Sequence, residues 1–309
     1  MNPRPLFDLV VNGGKVRLGA RTLIMGVLNV TPDSFSDGGQ YLEPTRAVAH
    51  GLELVRQGAD WIDVGGESTR PGAQPVAAAE ELDRVLPIVQ GLRRKLHSLP
   101  ISIDTTKAEV AEEALRAGAS IINDVSGLRF DARIAEVARR HGCPLILMHL
   151  RGRPETMQQK PFVRSIWRSL RSGLEWSIRR ALLAGVPRSH LVIDPGLGFG
   201  KTRRQNYEIM AHLERLGAFR LPLLVGSSRK SFVQAVAMGE GLDPLRPRTR
   251  RAGARPFIQP AGALSTPSLQ FADAAAVVAA ILGGAHLVRV HDVAAILPAV
   301  RIADAIRAT

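Results

Sequence analysis

A short apolar or β-branched run followed by a helical pattern recurs about eight times along this chain of 309 residues. The predicted strands are residues 23–28, 60–64, 100–103, 120–123, 144–148, 191–193, 222–226 and 286–290. Such alternation is typical of βα units around a parallel sheet. A doubly wound sheet would also fit, but eight units in a chain of this length favour an α/β fold of the (β/α)8 TIM-barrel type.

Two segments lie outside this repeat. Residues 7–20 alternate around Asn12-Gly13-Gly14, which predicts an N-terminal β-hairpin with a primed turn. Residues 241–269 are rich in proline and arginine and predict a solvated insertion before the last βα unit. We therefore predict a single domain over residues 1–309 that carries this insertion.

The patterns between the strands predict amphipathic helices. The clearest are residues 76–96, 107–117, 131–141, 163–184 and 292–307. Glycines near positions 58, 118, 142 and 284 stand where helices end, as C-cap glycines do.

Composition narrows the class of function. The formal net charge is +13, yet the arginines are spread over many helices and aromatic residues make up 5%, so nucleic-acid binding is not expected. No apolar run is long enough to cross a membrane, and the N-terminus lacks the features of a signal peptide. The single cysteine, Cys143, predicts a packed thiol. Together these features favour a cytoplasmic protein.

A polar residue stands at or just beyond the end of nearly every predicted strand. Barrel enzymes build their active sites from these carboxyl ends and the loops that follow them. The residues concerned are Asn29, Asp63, Asp104, Asn123, His149, Asp194, the segment Ser228-Arg229-Lys230, and Arg289 with His291. Asp and Asn also cap helices routinely, but their recurrence at one end of the barrel favours a site. For His149 a hydrogen-bonded core histidine is the favoured interpretation.

The strand-end residues divide by charge. Asp104, Asn123 and Asp194 suit a flat heterocycle with several N–H donors, such as the edge of a pterin, and Lys230 supplies a donor for its acceptor side. Arg70, Arg289 and His291 are donors suited to phosphate oxygens. The predicted substrate has a polar ring and a phosphorylated leaving group.

Several other sites do not fit the sequence. The Asp194 to Thr202 loop has Pro195 where a nucleotide-binding P-loop needs its first glycine. Neither a dinucleotide fingerprint nor a pair of zinc ligands at the usual spacing is present.

Asn29 and Asp37 are candidate ligands for Mg2+ bound to a pyrophosphate group.

Several blocks together resemble the dihydropteroate synthase family. They are Leu23 to Gly39, Asp63 to Gly72, Ser102-Ile103-Asp104-Thr105, Ile121 to Asp124, Asp194 to Lys201, Ser228-Arg229-Lys230-Ser231 and Arg289-Val290-His291-Asp292. The resemblance implies condensation of 6-hydroxymethyl-7,8-dihydropterin diphosphate with 4-aminobenzoate to 7,8-dihydropteroate, with release of pyrophosphate, in folate biosynthesis. It also implies Mg2+ and a homodimer.

The resemblance assigns roles to individual positions. It places Asn29 and Asp37 on the metal, and Asp104, Asn123, Asp194 and Lys230 on the pterin. Arg289 and His291 match the diphosphate ligands, and the residues around 4-aminobenzoate are Phe35, Thr69, Arg70, Pro71, Phe199 and Ser228. The implied catalytic set is Asp37, Arg70, Lys230, Arg289 and His291.

The chain departs from the family pattern at a few positions. Leu197 replaces a frequent phenylalanine, the loop with Arg151 and Arg153 is more basic than usual, and the 241–269 insertion is long. Three alternatives remain open from the residues alone. They are a pterin-binding methyltransferase module, an inactive pterin-binding paralogue and a basic RNA-associated protein.

Overall fold

The protein is described by a computed structural model. The structure describes residues 4–11, 13–30, 43–70, 72–159, 161, 163–242 and 267–309. The predicted site residues Phe35, Asp37 and Pro71 lie outside these ranges, as do Asn12 of the predicted turn and residues 243–266 of the predicted insertion.

Eight parallel strands form the central sheet. They are β3 (Leu23–Asn29), β4 (Trp61–Gly65), β5 (Ile101–Asp104), β6 (Ile121–Asp124), β7 (Leu145–Met148), β8 (Leu191–Asp194), β9 (Leu224–Val225) and β10 (Leu287–Val290). Their order in the sheet is β8-β7-β6-β5-β4-β3-β10-β9. A parallel bridge between Ile193 and Leu223 joins the two edges, so the sheet closes almost completely and the predicted (β/α)8 barrel is confirmed.

The strand bounds differ from the predictions by a residue or two, and the difference matters for the site. Asn29, Asp104 and Asp194 are the last residues of their strands and not loop residues, so backbone pairing fixes their positions. The prediction of residues 222–226 as a strand was too long, because β9 contains only Leu224 and Val225. Pro222 has no N–H to donate to a neighbouring strand.

A β-hairpin covers the N-terminal end of the barrel, as predicted. Strands β1 (Phe7–Val11) and β2 (Gly14–Leu18) pair antiparallel, and Gly13 has a positive φ of 72° at the turn. The buried side chains Leu9 and Leu18 pack in one cluster with apolar residues inside the barrel, including Met25 and Trp61. The hairpin therefore completes the inner core.

Nine helices are present in the described residues. They are α1 (Glu43–Arg56), α2 (Ala78–Leu96), α3 (Ala108–Ala117), α4 (Ile134–His141), α5 (Ile166–Leu183), α6 (Arg203–Ala211), α7 (Ser231–Ala237), α8 (Pro267–Leu282) and α9 (Val293–Ala308). Their apolar faces pack against the outer faces of the strands in the main core. Within the described ranges, no helix is both long and apolar enough to span a bilayer.

Local chemistry explains where several helices begin and end. Residues 163–165 were predicted as helix, but Ser165 is the N-cap of α5 and its side chain accepts a hydrogen bond from the backbone N–H of Arg168. Gly118 and Gly142 end α3 and α4 in left-handed conformations, as predicted. The predicted insertion extended too far, because α8 already begins at Pro267, a residue type favoured in the first helical turn.

Candidate active site at the carboxyl ends of the strands

Backbone pairing places four residues in one row across the carboxyl ends of neighbouring strands. Asn29 of β3 pairs with Gly65 of β4, Gly65 with Asp104 of β5, and Asp104 with Asn123 of β6. On β8, Asp194 is paired in register with Met148 of β7. The register therefore brings together the polar residues predicted from the strand ends.

Arg289 of β10 lies between two carboxylates inside this end of the barrel. Its Nε donates to Asp63 Oδ2 at 2.6 Å, and its Nη2 donates to Asp104 Oδ2 at 2.9 Å. The structure thus places the Arg289 guanidinium on the carboxylates of the acidic half. If Arg289 also binds phosphate, it does so with the guanidinium N–H groups that do not donate to Asp63 or Asp104.

Asp63 is a member of the site that was predicted at a strand end but was given no role from the sequence. Its side chain is fully buried on β4, where it also accepts hydrogen bonds from Ser102 Oγ and from Asn123 Nδ2 at 3.0 Å. Asp63 thereby fixes both Arg289 and the amide of Asn123. A polar residue in the middle of a buried strand is the signal that could have identified it.

The buried charges of the site have strongly perturbed acidities. Burial raises the pKa of Asp104 to about 8 despite the opposing charge of Arg289, and burial raises the pKa of Asp194 to about 6. Burial lowers the pKa of Lys230 to about 8, and the charge of Arg289 lowers it further. Ionisable groups with perturbed pKa values cluster at functional sites, where a bound ligand can replace the interactions with water that these groups lose on burial.

Lys230 lies over an aromatic ring beside the acidic residues. Its Nζ is 3.9 Å from the centroid of Phe199, a cation–π contact. The Lys230 side chain passes close to Gly198, where an added Cβ would lie 3.2 Å from Lys230 Cδ. The φ of Gly198 is +83°, which also favours glycine at this position. Phe199 itself packs in an apolar cluster with Met148 and Leu150. The structure therefore brings the predicted residues Lys230 and Phe199 together.

The loop after β8 is held by a buried lysine that the sequence reasoning passed over. Lys201 Nζ donates to the carbonyl oxygens of His149 at 3.0 Å, Gly196 at 2.7 Å and Phe199 at 3.0 Å. A Cβ at Gly196 would lie 2.1 Å from the His149 oxygen, so the backbones approach too closely for any other residue. Lys201 thus uses its three N–H donors on backbone carbonyl oxygens and organises the loop.

His149 is a buried histidine of the interior, in agreement with the favoured interpretation. Its Nε2 lies 3.4 Å from Ser169 Oγ, and the ring packs against Gly173 of α5. Burial lowers the pKa of His149 well below its usual value, with Lys201 as the next contribution. The predicted packed thiol, Cys143, is also buried, and burial raises its pKa to about 12.

His291 and Ser228 form the opposite side of the site. Ser228 Oγ accepts from the backbone N–H of His291 at 3.3 Å and lies 3.2 Å from His291 Nδ1. Ser228 is buried. The structure therefore joins Ser228, predicted near 4-aminobenzoate, to His291, predicted near the diphosphate.

Thr69 and Arg70 lie on the loop that follows β4. Arg70 is exposed, and the backbone N–H of Gly72 donates to Pro154 O at 3.1 Å, which ties this loop to the loop after β7. The Arg70 charge lowers the pKa values of both Lys230 and His291, behind larger effects of burial. Arg70 is thus near the basic side of the site, although it forms no side-chain hydrogen bond with the residues named above within the described part of the chain.

Asn29 is the described residue among the two candidate ligands for Mg2+. A Cβ added at Gly65 would lie 3.7 Å from both Asn29 Oδ1 and Asp104 Oδ2, so the glycine keeps the space between these oxygens open. Among the described residues, no group of three or more His, Cys, Asp or Glu side chains could hold a metal. One neutral oxygen ligand fits Mg2+, which usually keeps few protein ligands and binds mainly through phosphate oxygens and water.

Comparisons with known proteins agree with this geometry. Residues 25–291 match the family described as pterin binding enzymes. A dihydropteroate synthase from Synechocystis is 43% identical over 288 residues, which are 93% of this chain and 91% of the relative. The crystal structure of the Yersinia pestis dihydropteroate synthase with a sulfonamide drug complex has a TM-score of 0.83 and 38% identity, covering 98% of this chain and 100% of that one.

A third comparison concerns a structure with one of the expected ligands. Dihydropteroate synthase from Xanthomonas albilineans, solved with 4-aminobenzoic acid, has a TM-score of 0.83 and 37% identity, covering 99% of this chain and 100% of that one. A pterin-binding barrel is the class that the fold and the site define. The chain belongs to the pterin-binding enzyme family, on the dihydropteroate synthase branch. The predicted function, a pyrophosphate-releasing transferase of folate biosynthesis, is confirmed.

Proposed function

We propose that the acidic and basic halves of this site bind the two parts of 6-hydroxymethyl-7,8-dihydropterin diphosphate, and that 4-aminobenzoate displaces the diphosphate. The observation that carries this assignment is the placement of Asp104 and Asn123 on the adjacent strands β5 and β6, with Asp194 on β8 at the same end of the barrel and Lys230 close enough to influence the acidity of Asp104 and Asp194. Acceptors on one side and a donor on the other complement the edge of a pterin ring.

In the proposed complex the carboxylates hold the ring. Although burial raises the pKa values of Asp104 and Asp194, the N–H and amino donors of a bound ring favour their ionised forms, and a charge-assisted bond of this kind contributes about 1.5 to 3 kcal/mol. Asn123 has its amide nitrogen fixed by Asp63, so its Oδ1 is turned to other donors. Lys230 donates to the acceptor side of the ring.

The diphosphate lies toward the cationic residues. Arg70 and His291 donate to its oxygens, and Arg289 contributes charge from its position between Asp63 and Asp104. Asn29 and Asp37 are the proposed protein ligands of Mg2+, with Asp37 outside the described residues. When bound, Mg2+ supplies Lewis-acid stabilisation of charge on the leaving group.

The reaction breaks the bond between the pterin methylene carbon and the diphosphate oxygen, and forms a bond from that carbon to the aromatic amine. The amine loses one proton, and pyrophosphate leaves with the bonding electron pair. Lys230, Arg70 and His291 favour departure by stabilising negative charge as it develops on the leaving oxygens. Phe199, Ser228, Thr69 and Arg70, with Phe35 and Pro71, are the proposed surroundings of 4-aminobenzoate and the groups that exclude water.

Two further features are proposed for the assembled enzyme. The first is that it works in the cytoplasm.

The second is that it forms a homodimer through α8 and α9. Phe271 on α8 is 75% exposed, Ile302 on α9 is 62% exposed, and Asp273 is the one charged residue in the sequence of α8. An exposed apolar helix face of this kind marks an interaction surface, and a second copy covers it in the proposed dimer.

The decisive test is a pyrophosphate-release assay with each substrate omitted in turn. Release is expected only when the pterin diphosphate and 4-aminobenzoate are both present. Binding of the pterin diphosphate without release would instead indicate a pterin-binding paralogue.

Analytical ultracentrifugation tests the dimer. Phe271→Glu is expected to yield monomers, whereas Leu183→Glu, at an equally exposed apolar position on α5, is expected to leave the dimer intact. A monomeric wild-type protein, or equal behaviour of both variants, would contradict the proposed interface.

A further inference from the structure

Helix α8 contributes a buried carboxylate that the roles assigned so far do not use. Asp273 Oδ2 accepts from Ser228 Oγ at 3.1 Å, and both of its oxygens accept from the backbone N–H of Arg229 at 3.0 to 3.1 Å. Asp273 is 7% exposed. Its position behind Ser228 links α8 to the side of the site that holds His291.

The hydrogen bonds of Ser228 restrict the proton on His291. A serine hydroxyl has one proton to donate and two lone pairs to accept with, whereas an ionised carboxylate accepts only. Burial raises the pKa of Asp273, but the hydrogen bonds from the Arg229 N–H and the Ser228 hydroxyl favour the ionised carboxylate, so the Ser228 proton is directed to Asp273. The backbone N–H of His291 occupies one lone pair of Ser228 Oγ, and His291 Nδ1 lies 3.2 Å from the same oxygen. His291 Nδ1 must then be the donor in this contact.

We propose that Asp273 is a positioning residue that fixes, through the Ser228 hydroxyl, the proton of His291 on Nδ1. His291 Nε2 is then the ring nitrogen available to a ligand. A hydroxyl without the Asp273 acceptor is free to turn its proton toward Nδ1 and favour the opposite tautomer.

The charged surroundings of His291 make the choice between its two tautomers important. Burial lowers the pKa of His291 well below its usual value, and the charges of Arg229, Arg289, Lys230 and Arg70 lower it further. The ring is therefore neutral before a ligand binds, and its tautomer decides whether Nε2 can take up a proton. An anionic diphosphate offsets the four cations and favours a proton on Nε2, which then donates to a phosphate oxygen. In this respect the inference rests on the proposed function.

Asp273 also supports the backbone next to Ser228. Arg229 has a φ of +56°, a left-handed conformation that is uncommon for a residue other than glycine. Both oxygens of Asp273 accept from its N–H, so removing the side chain removes two functions at once. Asp273→Asn is the conservative control, because one amide oxygen at the position of Oδ2 can still accept from both Ser228 and Arg229.

The test is 15N NMR of protein labelled at histidine, with His291→Gln used to assign the resonances. Wild type and Asp273→Asn are expected to show a protonated Nδ1 and an unprotonated Nε2 on His291. Asp273→Ala is expected to move the proton to Nε2. A wild-type spectrum with the proton on Nε2 would overturn the proposal even if Asp273→Ala failed to fold, and so would an Asp273→Ala spectrum that kept the proton on Nδ1.

Binding of inorganic pyrophosphate with Mg2+, measured by calorimetry, gives the functional readout. In Asp273→Ala a neutral Nε2–H can still donate to pyrophosphate, but the protonated ring loses the support that Asp273 gives through Ser228. A hydrogen bond from a charged donor exceeds one from a neutral donor by about tenfold in affinity, so Asp273→Ala is expected to bind about tenfold more weakly than wild type, and Asp273→Asn, which keeps the acceptor, is expected to bind more tightly than Asp273→Ala. Normal binding by Asp273→Ala would show that the link has no part in anion recognition. Absence of binding in wild type would count against the proposed function, while the NMR result would still decide the tautomer.

Discussion

Each end of this barrel holds an arginine in a set of hydrogen bonds, and the surroundings of the two side chains differ: Arg4 is buried and Arg289 is half-buried. At the hairpin end, Arg4 donates to Gly19 O, Thr22 Oγ1, Ala285 O and Asp304 Oδ1. At the opposite end, Arg289 lies between Asp63 and Asp104. Arg4 joins two chain segments and a helix, while Arg289 orders carboxylates around a ligand site.

The comparison extends to what surrounds each arginine. The hairpin end is completed by an apolar cluster that includes Leu9 and Leu18. The other end concentrates several buried ionisable groups, and burial shifts the pKa values of Asp104 and Lys230 to about 8 from opposite directions. We infer that charge at the hairpin end stabilises the fold, whereas charge at the strand ends is arranged for substrate at some cost in stability.

The largest expected effect concerns Lys230, with Lys201 as a matched buried lysine. Lys230→Ala is expected to lower the rate of pyrophosphate release by roughly 10² to 10³, the cost of removing one electrostatic stabiliser, with little loss of thermal stability. Lys201→Ala should mainly lower the free energy of unfolding, because three carbonyl oxygens lose their donor. If the two variants lose activity and stability in the same proportion, the distinction between a lysine that acts on substrate and a lysine that stabilises the fold is wrong.

The second prediction removes the arginine at the hairpin end. Arg4→Ala removes the charged partner of Asp304, which keeps its hydrogen bonds from Thr22, and is expected to lower the free energy of unfolding by roughly 3 kcal/mol, as for a broken buried pair. Chemical denaturation measures this. The kcat and KM of the folded fraction should be those of wild type, and a raised KM for the pterin diphosphate would show that the two ends are coupled.

The third prediction concerns pH. The folded-state pKa of Asp104 is raised to about 8, so between about pH 4 and pH 8 the folded state binds more protons than the unfolded state. Ionisation of Asp104 therefore lowers stability as the pH rises through this range. Asp104→Asn should become progressively more stable relative to wild type from pH 5 to pH 8, as followed by urea denaturation. A difference that is constant with pH would contradict the raised pKa.

The fourth and smallest effect is expected from Gly65→Ala. The added methyl group would lie 3.4 Å from Asp104 Cβ and 3.7 Å from Asn29 Oδ1, which are ordinary contacts, so the protein should fold normally. The methyl group narrows the space between Asn29 and Asp104, and KM for the pterin diphosphate should rise a few-fold. Gly217→Ala, with no atom within 4 Å of its added Cβ, is the control. An unchanged KM would place the ligand elsewhere.

The barrel and much of the site could be predicted because both depend on local sequence signals. Buried apolar runs mark the strands, and polar residues at their ends, such as Asp104 and Asp194, mark the rim. The same signals placed His149 and Cys143 in the interior.

Other features depend on packing between distant segments, which no local signal reports. The burial of Asp63 within β4 is a local signal, but its contact with Arg289, 226 positions away, is not. Asp273 lies on a helix 45 positions from Ser228. The sequence excluded a nucleotide-binding P-loop before Lys201, but it did not reveal that this lysine donates to the backbone of its own loop. For the same reason the start of α8 could not be placed from a proline-rich stretch.

The row formed by Asn29, Gly65, Asp104 and Asn123 is set by strand register. Backbone pairing, and not loop conformation, therefore determines the spacing of the groups proposed to hold the pterin. Loops at this end of the barrel can change in length or sequence without moving that row. A barrel with these strands and entirely different loops would thus retain the binding site for the heterocycle. The new loops would then determine which second substrate reacts with it.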